Sequence, residues 1–308
     1  MQDAPLALTV SELEARLKGF VREYLKGKSP ETIGTYRRTL NEFERYFAPR
    51  KAQFGFRQKD VEGYKTYLMK ERGLSDVSVS TYLTALRRFC QYLVDIGLLE
   101  QNPARTVSGN RRPAEHTRRP LRPAEIEQLQ DAMTTDSAIG QRDRAIVHCM
   151  LYAGLSEIEL VRADVQDLEQ TLLGWFLRVQ GKGREVKDQQ VPIDDRVHEA
   201  LKLYLDSRRR LRPEEPLFTS CGHRSEGERL NTRSVRSRVN DLLKAAGLKA
   251  TDVTPHSLTH TAPLLWLEAG MSLEQVKRRM RHGTLDTTLI YARRRGALRQ
   301  ASRSASTA

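Results

Sequence analysis

The sequence has little cysteine: Cys90, Cys149 and Cys221 are the three in 308 residues. An odd number at wide spacing argues against a disulfide framework and fits a reducing cytoplasm. Cys90 and Cys149 lie inside apolar helical patterns and read as core residues. Cys221-Gly222-His223 is followed by no second pair at ligand spacing, so it reads as a loop, and neither a metal nor another cofactor is expected. Long apolar runs are also missing. No stretch approaches the roughly 20 apolar residues of a membrane span. Met1 to Val10 lacks the basic-then-apolar order of a signal peptide. Acid is scarce beside base: 39 Asp plus Glu face 52 Lys plus Arg, a formal net charge of +13. A folded chain this basic ordinarily meets a polyanion, and nucleic acid is the first candidate. No strongly apolar amphipathic helix is there to lie on an anionic membrane, the second candidate.

What is present is helical patterning in two blocks. Residues 1–104 read as a bundle of four amphipathic helices. Ser29-Pro30-Glu31 opens one, with Ile33, Tyr36, Leu40, Phe43 and Phe47 at helical spacing. Another runs from about Asp60 to Lys70. A third opens at Ser78 or Ser80, carries Val79, Tyr82, Leu83, Leu86, Phe89, Leu93 and Ile96 as a stripe, and ends at Gly97. Arg37, Arg38, Arg87 and Arg88 fall on predicted exposed faces and suit phosphates. Residues 105–120 are a basic, almost apolar-free linker, either a plain tether or a strap along a DNA backbone between two gripping domains. The second domain, 121–308, is predicted α+β. Trp175–Gln180 and Val186–Ile193 read as two strands flanking the turn Gly181-Lys182-Gly183-Arg184. Helices are expected at about 195–211, 231–246, 256–269 and 272–281. The tail after Tyr291 holds five arginines and no acid.

Three scattered motifs converge: Gly154-Leu155-Ser156-Glu157-Ile158-Glu159, Pro255-His256-Ser257-Leu258-Thr259-His260, and His282-Gly283-Thr284-Leu285-Asp286-Thr287-Thr288-Leu289-Ile290-Tyr291. With the Lys182 hairpin, they resemble the tyrosine recombinase (phage integrase) family over nearly the whole chain. The most specific element is a histidine, a Thr-Thr pair and a tyrosine nine residues after the histidine. The resemblance implies a mainly α fold. An N-terminal core-binding (SAM-like) bundle would precede an α+β catalytic-type domain with a small antiparallel sheet. It implies metal-free strand transfer through a 3′-phosphotyrosyl link. Tyr291 would be the nucleophile and Lys182 the general acid. His256 and His282 would contact the phosphate or assist proton transfer. Glu159 stands at a structural acidic position, and His260 would pack in support.

The sequence departs from that pattern where charge matters most. Ser156 and Thr259 stand where the family pattern has arginine. Arg281 replaces the glycine before His282, and Pro263 is expected to interrupt a helix. A short hydroxyl cannot reproduce the bidentate, permanently charged contact of a guanidinium. Losing one such donor costs on the order of 10²–10⁵ in rate. Arg162 and Arg281 are the candidates for a replacement donor. DNA binding survives such losses, because backbone contacts supply most affinity. Candidate contacts are Arg208, Arg209, Arg210, Arg233, Arg236, Arg238, Lys277, Arg278, Arg87 and Arg88. The helix from 231 is a candidate groove reader.

The expected function is therefore site-specific DNA recombination or integration, as a DNA-binding member with impaired cleavage, in an accessory, architectural or regulatory role. The alternative is an active recombinase working through Tyr291 with a partner. A third reading is a basic protein-interaction module. Self-association on DNA, or pairing with another recombinase, follows from the resemblance.

Overall fold

The structure is a computed structural model that describes residues 6–109, 118–181, 183–208, 211–222 and 225–305, with side chains through residue 296. Lys182, Arg209, Arg210 and His223 lie outside the described residues. The chain divides into two compact units, Met1–Ala114 and Glu115–Ala308.

The first unit is built from α1 (Val10–Glu23), α2 (Pro30–Phe47), α3 (Gln58–Lys70) and α4 (Asp76–Asp95). Each start has a local cause. The side chains of Thr9, Ser29 and Ser75 accept from the backbone N–H three residues on, satisfying a donor the first turn leaves open. The start of α4 is thus Ser75, not Ser78 or Ser80. Gly97 ends the chain's run there with φ 76°, a conformation that favours glycine. The core is unusually aromatic. Phe20, Phe43, Phe47, Phe54, Phe56, Tyr64 and Phe89 are all buried, with many edge-on pairs. Arg87 is not on an exposed face as expected. Its guanidinium turns in and donates to the carbonyls of Ala104 (3.1 Å) and Val107 (3.0 Å), tying the end of the unit to α4. Val107, inside the stretch predicted as linker, is buried in this core.

The second unit opens with α5 (Pro123–Asp131), α6 (Ala138–Tyr152) and α7 (Glu157–Arg162). A three-stranded antiparallel sheet follows: β1 (Leu168–Thr171), β2 (Gly174–Val179) and β3 (Gln189–Ile193), in that order. Then come α8 (Asp195–Asp206), α9 (Thr232–Ala245), α10 (Pro255–Glu268), α11 (Leu273–Arg279) and α12 (Leu285–Ala305). Helix α6 is buried on nearly all sides among α8, α9 and α10. Arg119 is fixed to this unit: its guanidinium pairs with Glu125 and Asp252, and its N–H donates to the Asp252 carbonyl.

β1 and α12 are not among the predicted elements, and three predicted elements differ from expectation. The second strand of the hairpin starts at Gln189 rather than Val186, because Lys187 is pulled off the ladder onto Asp164 and Asp167. Helix α8 stops at Asp206, five residues before the expected end at 211, where Ser207 Oγ donates to the Tyr204 carbonyl. Pro263 does not interrupt α10. The helix runs from Pro255 to Glu268 with the proline inside it. Burial of Leu258, Ala262, Leu264, Trp266 and Leu267 on either side outweighs the lost hydrogen bond.

Candidate active site

Tyr291 is the residue around which the second unit's C-terminal elements pack. It lies in the second turn of α12, is only 2% exposed, and joins Ala262, Leu264, Trp266, Leu267 and Val276 in a small apolar cluster between α10, α11 and α12. Its hydroxyl meets His260 Nδ1 at 2.5 Å. His282 lies nearly parallel to the tyrosine ring, at 6.1 Å between centroids, and its Nδ1 is 3.0 Å from the buried hydroxyl of Thr288. His256 stands one helical turn before His260, with its ring edge-on at 4.3 Å. The motif spacing thus brings Tyr291, His256 and His282 together. It also brings in His260, for which the resemblance implies only packing. Burial pushes the Tyr291 phenol up to about 12, so the hydroxyl is protonated near neutral pH. As it stands, this is a sequestered hydroxyl with an imidazole against it.

The two substituted positions spend their hydroxyls internally. Ser156 caps α7: its N–H and its Oγ both reach Glu159 Oε2, at 2.8 and 2.7 Å. Thr259 Oγ1 donates to the Leu155 carbonyl at 3.1 Å and is buried. Gly154, just before, is held at φ 62°, and a Cβ there would come within 2.8 Å of Trp266. Glycine is therefore required for the 154–156 turn to approach α10.

Arg281 enters this region from the other side. It is the C′ residue of α11. Its N–H donates to the Arg278 carbonyl, and the next N–H, of His282, donates to the Lys277 carbonyl. That is a Schellman ending, and it sets Arg281 at φ 58°, where glycine is favoured. The guanidinium is 9% exposed and forks onto Glu159, Nε to Oε1 at 2.7 Å and Nη2 to Oε2 at 3.0 Å. It also donates to the carbonyls of Gly154 and Arg279. The sequence offers Arg281 as a replacement donor, but nothing in its glycine-like position signals this anchored fork.

Arg162, the other candidate replacement, instead donates to the Gly181 carbonyl at 3.0 Å. It thereby holds the base of the hairpin that carries Lys182. Among the described residues there is no group of three or more His, Cys, Asp or Glu that could hold a metal ion.

The expected DNA contacts divide. Arg88 and Arg233 are exposed, as is Arg278, and Lys277 is half-buried. Arg208 is not available on the surface. Its guanidinium is largely buried, donates to the Pro216 and Leu217 carbonyls, and pairs with Glu215. Arg236 pairs with Glu157 at 2.8 Å, locking α9 to α7, and Arg238 pairs with the buried Asp143 at 2.8 Å.

A helical bundle followed by a helical unit with a small sheet, and a tyrosine embedded among histidines near the C-terminus, define a class. Residues 119–297 match the Phage integrase family and residues 20–99 its N-terminal SAM-like domain. The chain belongs to the tyrosine recombinase (phage integrase) family. It is 32% identical over 275 residues to tyrosine recombinase XerC of Pelobacter propionicus, covering 85% of this chain and 84% of that protein. It is 30% identical over 283 residues to tyrosine recombinase XerC of Chromohalobacter salexigens, covering 91% of each. Among solved structures, a lambda integrase dimer bound to a COC′ core site has a similar fold. Its TM-score is 0.69 at 16% identity, covering 89% of this chain and 96% of that one.

Proposed function

We propose that this chain is a site-specific, double-stranded DNA-binding protein of its family in which strand cleavage by the chain alone is lost or strongly impaired. Its role would be that of an accessory, architectural or regulatory subunit in recombination or integration. One observation carries the cleavage half: the hydroxyls of Ser156 and Thr259 are both engaged with protein groups, and neither position can present a guanidinium. A phosphoryl-transfer transition state spreads negative charge over oxygens that need fixed donors. The net charge of +13 and the exposed arginines Arg37, Arg38, Arg88, Arg233 and Arg278 support the DNA half. The similar lambda integrase dimer was solved on a DNA core site, which supports self-association on DNA.

Selection from random duplexes tests the reading. It should enrich one motif, bound on the order of 10³-fold or more tighter than random DNA at the same salt. Equal affinity for both would favour a basic interaction module instead.

A second reading is favoured by the surviving tyrosine–histidine cluster: an active recombinase completed by a partner. It predicts a covalent adduct at Tyr291 when an intact family member is added to the same DNA. No adduct under those conditions would dismiss it.

A further inference from the structure

We propose that Arg281 is the phosphate-binding guanidinium of this site, standing in for the arginine missing at position 156 and reaching the same carboxylate from the opposite side. The inference rests on the DNA-binding reading above and deepens it. It predicts a phosphate that is gripped at the site even though it is not efficiently cleaved.

The Glu159 carboxylate is buried, and a buried carboxylate without a partner is costly. Side chain 156 begins beside it, with Ser156 Oγ 2.7 Å from Glu159 Oε2. A longer cationic side chain from that position would lie against the same carboxylate. Arg281 does lie there, and it does so bidentately. The two motif positions are therefore alternative origins for one guanidinium. The family pattern has arginine at the first and glycine at the second, while this chain has serine and arginine.

The backbone gives an independent sign. Arg281 occupies the left-handed C′ position of a Schellman ending, a conformation that strains a residue with a Cβ. Strain of that kind persists where the surroundings over-determine it, and it concentrates at functional sites. Here four described hydrogen bonds hold the side chain.

The third sign is location. Arg281 immediately precedes His282, whose ring faces Tyr291. Its partner Glu159 lies 4.0 Å from where a Cβ on Gly181 would be, at the root of the Lys182 hairpin. The first and third motifs and the base of the hairpin meet at this pair. The described bonds use Nε–H, both N–H groups of Nη2 and one of Nη1. The second N–H of Nη1 is the donor for a phosphate oxygen. Glu159 orients the fork, as a carboxylate behind a guanidinium does in bidentate recognition. With Thr259 still lacking a guanidinium, one donor is replaced and the other is not.

The test uses the full chain and a duplex that it selects from random sequence. Each phosphate in turn is replaced by a neutral methylphosphonate. In the unmodified protein one phosphate per bound protein should carry a loss of about tenfold or more in affinity, the size expected of a charge-assisted hydrogen bond. In Arg281→Gln that one penalty should fall below about twofold while the others remain. Because Arg281→Gln leaves a buried carboxylate unpaired, Glu159→Gln/Arg281→Gln is measured alongside it as the folded control, with the same expectation. Ser156→Arg/Arg281→Gly should regain the tenfold penalty at the same phosphate, since the guanidinium returns from its other origin. Retention of every penalty in both Arg281→Gln variants would overturn the proposal. A covalent adduct formed by the unmodified chain would instead sink the impaired-cleavage reading and leave this one standing.

Discussion

At the scale of single residues, the nucleophile position is defined by its surroundings rather than by exposure. Tyr291 is buried in an apolar cluster, its phenol is raised to about 12, and His260 holds its hydroxyl. Desolvation disfavours the phenolate. The unfolded chain would release this proton near pH 10, so the folded state binds more protons between pH 10 and 12. Its contribution to stability is full below pH 10 and is lost as pH rises through 12. A difference absorbance titration of the protein against Tyr291→Phe should show one phenol ionising near pH 12. A Tyr291 transition near pH 10 would mean the hydroxyl is solvated. The spacing of the motifs is enough to place His256, His282 and Tyr291 in one site. It does not reveal the His260 contact, because which face of α10 meets α12 is decided by tertiary packing. Nor does it reveal the Arg281–Glu159 fork, which joins residues 122 apart in sequence.

At the scale of elements, most of the helices are legible in the sequence. An apolar stripe at helical spacing falls on one side of a helix, whereas a strand would split it between both faces. The first strand is not legible. Leu168-Glu169-Gln170-Thr171 is short, lies at the sheet edge and lacks an alternating apolar pattern. Pro263 misleads in the opposite direction, because propensity opposes the helix and burial overrides it. Replacing Pro263 with alanine should restore a backbone donor to the Thr259 carbonyl and remove the ring's clash with it. We expect Pro263→Ala to raise stability by about 1–2 kcal/mol in a denaturant titration, less than the full proline penalty because buried volume is lost. A lower stability would show that the ring packs better than the helix hydrogen-bonds. Arg281 and Glu159 set the α11–α7 junction. Arg281→Ala alone should cost about 3–5 kcal/mol, the cost of a stranded buried charge. The paired Glu159→Gln/Arg281→Gln change should cost clearly less, as read by thermal unfolding. Equal costs would mean the two side chains do not act as a pair.

At the scale of the whole molecule, +13 net charge is spent unevenly. Some arginines hold the protein to itself, as Arg87, Arg142 and Arg208 do, and others face solvent. Composition reports the sum and cannot separate the two groups. Affinity for a selected duplex should fall steeply with salt. Arg233→Ala should reduce the slope of log affinity against log salt by about one. Arg208→Ala should leave the slope unchanged and lower the melting temperature. The reverse pattern would redraw the interface. Whether this family member holds its site without cutting it is decided by covalent trapping. The full chain is incubated with its selected duplex, nicked beside each candidate phosphate in turn so that the freed strand diffuses away and a phosphotyrosyl link cannot be reversed. No covalent protein–DNA adduct should appear on denaturing gels over hours, while the same duplex is fully bound. An adduct that forms with the unmodified chain and disappears in Tyr291→Phe would contradict the loss of cleavage.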